Sequence, residues 1–421
     1  MLKLLLVGLY AAMPVAIMTT NKAPSAIFYA AIALCLGLMF TRAHAPQRDV
    51  LANYRTLLLC YGVPTAAVLF SATLHGKWPG GNFEEALRLS LGLPILLFGL
   101  AQAPLPALRR AIGGVHIAAL AATGYVAWLA FSDDMRPVTE IYNAVGYGNL
   151  LLLLATISLF SLGWELTPWP RAERAAKIGV VVLALAGFLL TQTRSGWIAV
   201  PGFAMIGIVL MTGLRRPWRA AGLLAGILAI ALAIGLANQS LRDRAQDAYT
   251  EATQCTGAQS TADTSICIRF QLWRAAWDMF KADPLAGAGD SRLFNERLNN
   301  KYLPENVVSP FVAQNFGEPH NDMMKALSSF GVPGGIGLLL VYFAPFWIFA
   351  RRLDRRLPRP VRTAAAMGAA FCLGFAIFGL TELMFRGMRT VSFYTMFVAL
   401  FLVLSDPRIA DRPPDSDRAL H

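Results

Sequence analysis

Apolar residues run in long unbroken blocks along this chain instead of alternating with polar ones, and short polar stretches separate the blocks. Runs such as "LLLVGLYAAMPVAIM" and "GIGLLLVYFAPFWIF" belong to segments of about 17 to 25 residues, long enough for a helix to cross a bilayer. Hydrocarbon offers no water to bare amides, so each segment is expected to satisfy its own backbone as a helix. About twelve spans follow, at residues 2–20, 24–41, 54–74, 86–104, 111–131, 141–164, 176–192, 195–213, 217–238, 321–350, 364–383 and 389–405. The pattern predicts an all-α polytopic membrane protein. Residues 240–319 interrupt it with charged, Asn, Gln and Thr residues and no apolar run of bilayer length. The expected organisation is spans 1 to 9 in 1–239, an extramembrane loop domain in 240–319, and spans 10 to 12 with a tail in 320–421.

Composition supports the membrane class, since 56% of residues are hydrophobic and 15% charged. The net charge of +12 invites a nucleic-acid reading, but its distribution argues otherwise. Positive residues gather in alternate short loops: Arg42, Arg48 and Arg55; Arg109 and Arg110; Arg171, Arg174 and Lys177; Arg215, Arg216 and Arg219; then six arginines from Arg351 to Arg362. These are cytoplasmic-loop signals. The opposite loops carry fewer positive charges and offset them with Glu84, Glu85, Asp133 and Asp134. They are expected to face outward together with 240–319, which puts both termini in the cytoplasm. No helix-turn-helix or zinc pattern accompanies the basic residues, and no nucleic-acid partner is expected. The first span follows Lys3 and has a signal-like shape, but is expected to remain as an anchor.

Cys35, Cys60 and Cys372 fall within spans, where thiols act as small apolar fillers. Cys255 and Cys267 instead lie in the outward segment, twelve positions apart, and are candidates for a disulfide if that side is oxidising.

Outward polar residues carry the candidate chemistry. "LLTQTRSGWIA" places Arg194 in a short turn, where a snorkelling role is the plain alternative. "ICIRFQLWRAAWDMFKADP" sets Phe270, Trp273, Trp277 and Phe280 at helical spacing beside Arg269 and Arg274, as in an amphipathic helix at the membrane surface. "LTELMFRGMRT" holds Glu382, Arg386 and Arg389, with an i,i+4 pair between Glu382 and Arg386 as the structural alternative. In "GEPHNDMMKALSSFGV", Pro319 fits the first position of a helix and His320 its first turn, where the positive helix end favours a neutral imidazole. One base and several arginines suit displacement of a lipid-linked pyrophosphate by a hydroxyl group. Walker A, HExxH and dinucleotide motifs are absent from the sequence, and no metal or other cofactor is expected.

"TQTRSGWIA", "RFQLWRAAWDMFKADPLAGAG", "PHNDMMKALSSFGVPGGIGLL" and "YNAVGYGNLLLLL" resemble the patches of the O-antigen ligase family. The resemblance implies a GT-C-like fold and a metal-independent, inverting transfer of glycan from undecaprenyl pyrophosphate to lipid A–core at the periplasmic face of the bacterial inner membrane. It also implies catalytic roles for His320 as base and for Arg194 and Arg269 on the pyrophosphate. Arg386, Arg389 and Asn321 become candidate substrate contacts. Related polymerases and protein oligosaccharyltransferases share weak versions of these motifs. A carrier or flippase is the rival of another class, although the sequence shows neither an evident internal repeat nor paired broken helices.

Overall fold

Side-chain caps and prolines mark where the long apolar segments start in a computed structural model of the chain. The structure describes residues 1–40, 48–132, 139, 141–212 and 260–410, with scattered positions between 218 and 255. Among the described residues there is no strand. The principal helices are α1 (Leu2–Thr19), α2 (Ala23–Phe40), α3 (Arg55–His75), α4 (Gly80–Ser90), α5 (Gly92–Leu100), α6 (Gly113–Ser132), α7 (Ala144–Phe160), α8 (Pro170–Leu190), α9 (Val200–Thr212), α10 (Ser265–Ala282), α11 (Asp322–Arg351), α12 (Arg359–Phe378) and α13 (Met388–Leu404). Asn143, Thr264 and Asn321 cap α7, α10 and α11 by accepting from backbone N–H groups. α12 starts with a proline in its first turn, where a missing N–H costs nothing.

Eight helical stretches are long and apolar enough to cross a membrane among the described residues, and α13 adds a shorter apolar helix of 17 residues. The chain is therefore an all-α polytopic membrane protein. Two segments differ from their sequence reading. The span expected at 86–104 is two short helices, α4 and α5, meeting at Leu91. α4 is strongly two-faced, because Glu84, Glu85 and Arg88 interrupt its apolar residues. The span expected at 176–192 begins earlier, at Pro170, where Glu173 and Lys177 form an i,i+4 pair of 2.6 Å. Most of the span expected at 217–238, and the tail after 410, lie outside the described residues.

Burial sorts the helices. Most residues of α7, α12 and α13 are buried, so these form the centre. Helices around them leave large apolar side chains such as Leu59, Phe70, Trp128, Val182 and Phe343 exposed, as lipid contact requires. Polar networks lie at the two ends of the bundle. At one end Tyr54, Arg352 and Asp406 join α3, α11 and the end of α13. At the other, the starts of α2, α7, α11 and α13 meet the ends of α3, α8 and α12. A second apolar cluster, separate from the bundle core, joins Leu272, Ala276 and Met279 of α10 to Phe294, Leu298 and Val312.

α11 is broken. Phe330 and Gly331 leave helical geometry, with Gly331 at φ +62°. The segment 283–289 fills the break: Val332 N–H donates to Pro284 O (2.8 Å), while Ala288 and Gly289 N–H donate to Ser328 and Ser329 O (2.9 Å each). Unwound backbone at membrane depth needs such partners. The approach also needs glycine, because a Cβ at Gly331 would lie 2.5 Å from Pro284 O, and one at Gly287 would lie 2.5 Å from Phe330 N.

Candidate active site

Asn321 decides where α11 begins. Its side-chain oxygen accepts from Met324 N–H at 3.0 Å, which makes Asp322 the first helical residue. His320 is therefore not in the first turn, and Pro319 is not its opening position. The capping side chain sets the boundary, and His320 precedes the cap in a left-handed conformation at φ +47°. Left-handed backbone is uncommon outside glycine, and the His320 ring meets the loop after α12 at Glu382.

That loop, 379–387, hangs from the start of α11. Asp322 N–H donates to Gly379 O (2.8 Å), and Asn321 Nδ2 donates to Leu380 O (2.8 Å). The buried Asp322 carboxylate accepts from Met384 and Phe385 N–H (3.2 and 3.1 Å) and from the Tyr342 hydroxyl (2.5 Å). Asn321 thus has both ends of its amide engaged within the fold.

So held, Glu382 points inward and its carboxylate meets His320. The His320 Nδ1 to Glu382 Oε1 distance is 2.7 Å, and both residues are buried. Asn143 Nδ2 donates to Glu382 Oε2 at 2.8 Å, and Leu383 N–H donates to Oε1 at 3.2 Å. Burial raises the Glu382 carboxyl, yet the hydrogen bonds from His320, Asn143 and Leu383 hold it below its ordinary value. The i,i+4 alternative for Glu382 and Arg386 does not form, because the loop is not helical there. Arg386 Nε pairs with Glu318 Oε1 at 2.8 Å instead. An ionised carboxylate can only accept, so the His320 proton belongs on Nδ1 and the Nε2 lone pair is left available.

Arg269 reaches the same loop from α10. Its Nε donates to Thr381 O at 3.2 Å, the residue before Glu382, and its Nη1 donates to Ser265 O and Oγ at 2.9 Å. Nη2 has no protein partner among the described residues. Burial lowers the Arg269 guanidinium from its ordinary value, and the nearby Glu382 charge opposes that shift. Trp273 on the same helix donates Nε1–H to Pro319 O at 3.0 Å. The buried face of α10 is built of Cys267, Gln271, Leu272, Ala275, Ala276 and Met279, while its aromatic residues form a rim and Trp277 is exposed.

Arg194 comes from across α7. Thr191 Oγ1 donates to Thr193 Oγ1 (2.8 Å), and Thr193 Oγ1 donates to Ala144 O (2.9 Å), next to Asn143. This fixes the turn at the end of the bundle where Asn143 holds Glu382. The Arg194 side chain is exposed and has no hydrogen bond or ion pair to a described residue. Arg389 stands apart, over the Tyr142 ring at 4.1 Å, donating to Ile141 O (2.7 Å) and to Asn21. From the sequence alone Glu382 marks the end of a span and has no role in the chemistry, and Asn143 enters only within the "YNAVGYGNLLLLL" patch. Their signal was a carboxylate and an amide just beyond the ends of apolar spans.

Glu318, His320 and Glu382 offer ligand-type atoms within 4.8 Å of one another, and these could hold a cation. Arg386 and the His320 ring already engage their carboxylates.

The structure bridges Cys255 and Cys267, with Cα atoms 5.2 Å apart. Arg274 donates to Cys255 O (2.5 Å) and Ser260 O (3.1 Å), tying the bridged segment to α10 one turn beyond Arg269. Replacing both cysteines with serine should cost about 2–4 kcal/mol of stability. A thermal-unfolding comparison with peptide mapping under nonreducing conditions checks this. An unchanged midpoint with two alkylated thiols in the native protein would contradict the bridge.

Residues 179–339, less than half of the chain, match the family model described as O-antigen ligase. The matched segment includes Arg194, Arg269 and His320, and stops before Glu382. The chain is also similar to an uncharacterized protein of Haemophilus influenzae, at 24% identity over 223 residues, covering 52% of this chain and 54% of that protein. It thus spans about half the length of the curated relative it matches.

Proposed function

We propose, from the match of residues 179–339 to the O-antigen ligase family model, that the chain transfers a glycan from undecaprenyl pyrophosphate to a sugar hydroxyl of lipid A–core. The observation that carries this reading is the buried His320–Glu382 pair of 2.7 Å, with Arg269 anchored on the adjoining Thr381. His320 Nε2 takes the proton of the acceptor hydroxyl as its oxygen attacks the anomeric carbon of the donor sugar. The bond from that carbon to the pyrophosphate oxygen breaks, and the electron pair leaves with the pyrophosphate. Attack opposite the leaving group inverts the anomeric centre. Glu382 keeps the Nδ1 proton in place and stabilises the imidazolium as it forms, the role an acidic partner has in other histidine bases. Arg269 and the unpaired Arg194 take up the charge appearing on the pyrophosphate. Arg386 is a secondary contact, released from Glu318 when phosphate arrives. Arg389 and Asn321 serve architecture, since their polar atoms are engaged within the fold. The distribution of arginine among the loops supports placing this end of the bundle in the periplasm and both termini in the cytoplasm.

Purified protein in liposomes without an ion gradient should transfer glycan from the lipid-linked donor to lipid A–core. A product extended only on a second lipid-linked glycan would mark a polymerase, and movement of donor across the bilayer without transfer would mark a carrier. Arg269→Lys and Arg194→Lys keep the charge but lose the planar fork, and each should reduce kcat at least tenfold with normal membrane insertion. Near-wild-type turnover by either variant would remove that arginine from the pyrophosphate site.

A further inference from the structure

Phe311, Phe316 and His320 stand in a row that the steps above do not use. The Phe316 ring meets the imidazole edge to face with centroids 5.4 Å apart, and Phe311 meets Phe316 in the same way at 6.1 Å. Each step is close to the length of one pyranose unit, so the row leaves the base at the pace of a saccharide chain. Its outer end is built on the short helix Pro310–Asn315. Val312 and Ala313 of that helix turn into the apolar cluster of α10, which leaves Phe311, Gln314 and Asn315 on its outer face, with Phe311 46% exposed. The helix is fixed at both ends. Ser309 Oγ accepts from Val312 N–H (3.0 Å), and Ser309 N–H donates to Oε1 of the fully buried Gln271 on α10 (2.7 Å). Asn299 Nδ2 donates to Ala313 O (3.3 Å). A surface held this firmly loses little freedom when something binds to it. No charged residue lies between Pro310 and Gly317.

We propose that Phe311 and Phe316 are a stacking platform that selects uncharged sugars at the accepting end of the acceptor. Resting on the function proposed above, it places the unit whose hydroxyl reaches His320 beside Phe316 and the neighbouring unit on Phe311. An aromatic face carries negative charge and the C–H bonds on one face of a pyranose carry positive charge, so the two attract. Ring hydroxyls both donate and accept, and the amides of Gln314 and Asn315 beside Phe311 can do the same. A phosphorylated sugar finds no counter-charge along this stretch. The acceptor is favoured over the donor glycan because the row ends on the base, and the base meets the acceptor hydroxyl.

Three substitutions at one half-exposed position test this. With purified protein in detergent and core oligosaccharide freed of lipid A as probe, saturation-transfer NMR should mark the C–H protons of the outermost sugars most strongly. Phe311→Ala should weaken that binding about three- to tenfold, as the loss of one aromatic contact implies. Phe311→Tyr should bind as the wild type does, whereas Phe311→Leu, apolar but not planar, should resemble the alanine variant. Wild-type affinity in the leucine variant would reduce Phe311 to apolar area and overturn the proposal. Core oligosaccharide with phosphate on its outermost sugar should bind more weakly than the unphosphorylated form, and the opposite order would overturn the selection of uncharged sugars. In liposomes the acceptor KM should rise by the same factor in Phe311→Ala and Phe311→Leu while the donor KM holds. A rise in the donor KM instead would give the rings to the donor glycan and overturn the acceptor assignment. The binding readouts need no transfer. The expected binding pattern without glycan transfer would leave the platform standing and reject the ligase reading. Transfer with an unchanged acceptor KM in both variants would do the reverse.

Discussion

His320→Gln should lower single-turnover transfer from lipid-linked glycan to lipid A–core by about a hundred- to ten-thousandfold, the usual contribution of a general base. Glutamine can still hydrogen-bond to an acceptor hydroxyl but cannot take its proton at neutral pH. Donor binding should be nearly unchanged, because the proposed mechanism places the pyrophosphate on the arginines. His320→Ala is a harsher change, since it leaves the buried Glu382 carboxylate with only Asn143 and Leu383 as donors. An uncompensated buried charge destabilises in its own right, so glutamine gives the cleaner reading. Transfer by the glutamine variant at the wild-type rate and with the wild-type pH profile would assign proton removal to another group or to water.

Glu382→Gln should cost transfer on the order of a thousandfold, because an amide at this position can donate to Nδ1 and so favour the tautomer whose Nε2 is blocked by a proton. Glu382→Asp, which keeps the carboxylate, should recover part of that rate, whereas equal losses in the aspartate and glutamine variants would refute the pairing. Stability carries a separate sign. The folded Glu382 carboxyl lies below its ordinary value, so its contribution is fully present above the unfolded carboxylate's pKa of about 4.3 and disappears as pH falls through the folded value. At neutral pH the wild type should have that contribution and Glu382→Gln should lack it.

Hydropathy made most helices legible because a bilayer demands a minimum apolar length and a closed backbone, and both requirements are written locally. Its limits are equally physical. Glu84, Glu85 and Arg88 sit within an apolar average that hides the joint at Leu91. The break in α11 depends on backbone angles at Phe330 and Gly331 and on hydrogen bonds from residues about forty positions earlier, which composition does not encode. Pro319 carried a strong helix-start signal, but the Asn321 side chain could reach Met324 N–H and took the boundary three residues on. The basic members of the site were readable as types at one face. Glu382 was not readable as a member, because its pairing with His320 exists only once the loop after α12 is hung from Asp322.

The interruption of α11 changes how the reaction centre is supported. Residues 322–329 share main-chain hydrogen bonds with the segment that closes α10, and the Glu382 loop is suspended from their first turn. His320, Glu382 and the Arg269 guanidinium are therefore linked through hydrogen bonds, and the segment 283–289 ties them to both halves of α11 across Phe330 and Gly331. Substrates held in a bilayer by hydrocarbon anchors present their reacting atoms at heights fixed by those anchors. A centre clamped to both halves of the broken helix, by Val332 N–H on Pro284 O and by the Tyr342 hydroxyl on Asp322, keeps its internal distances at a height that the helix itself sets.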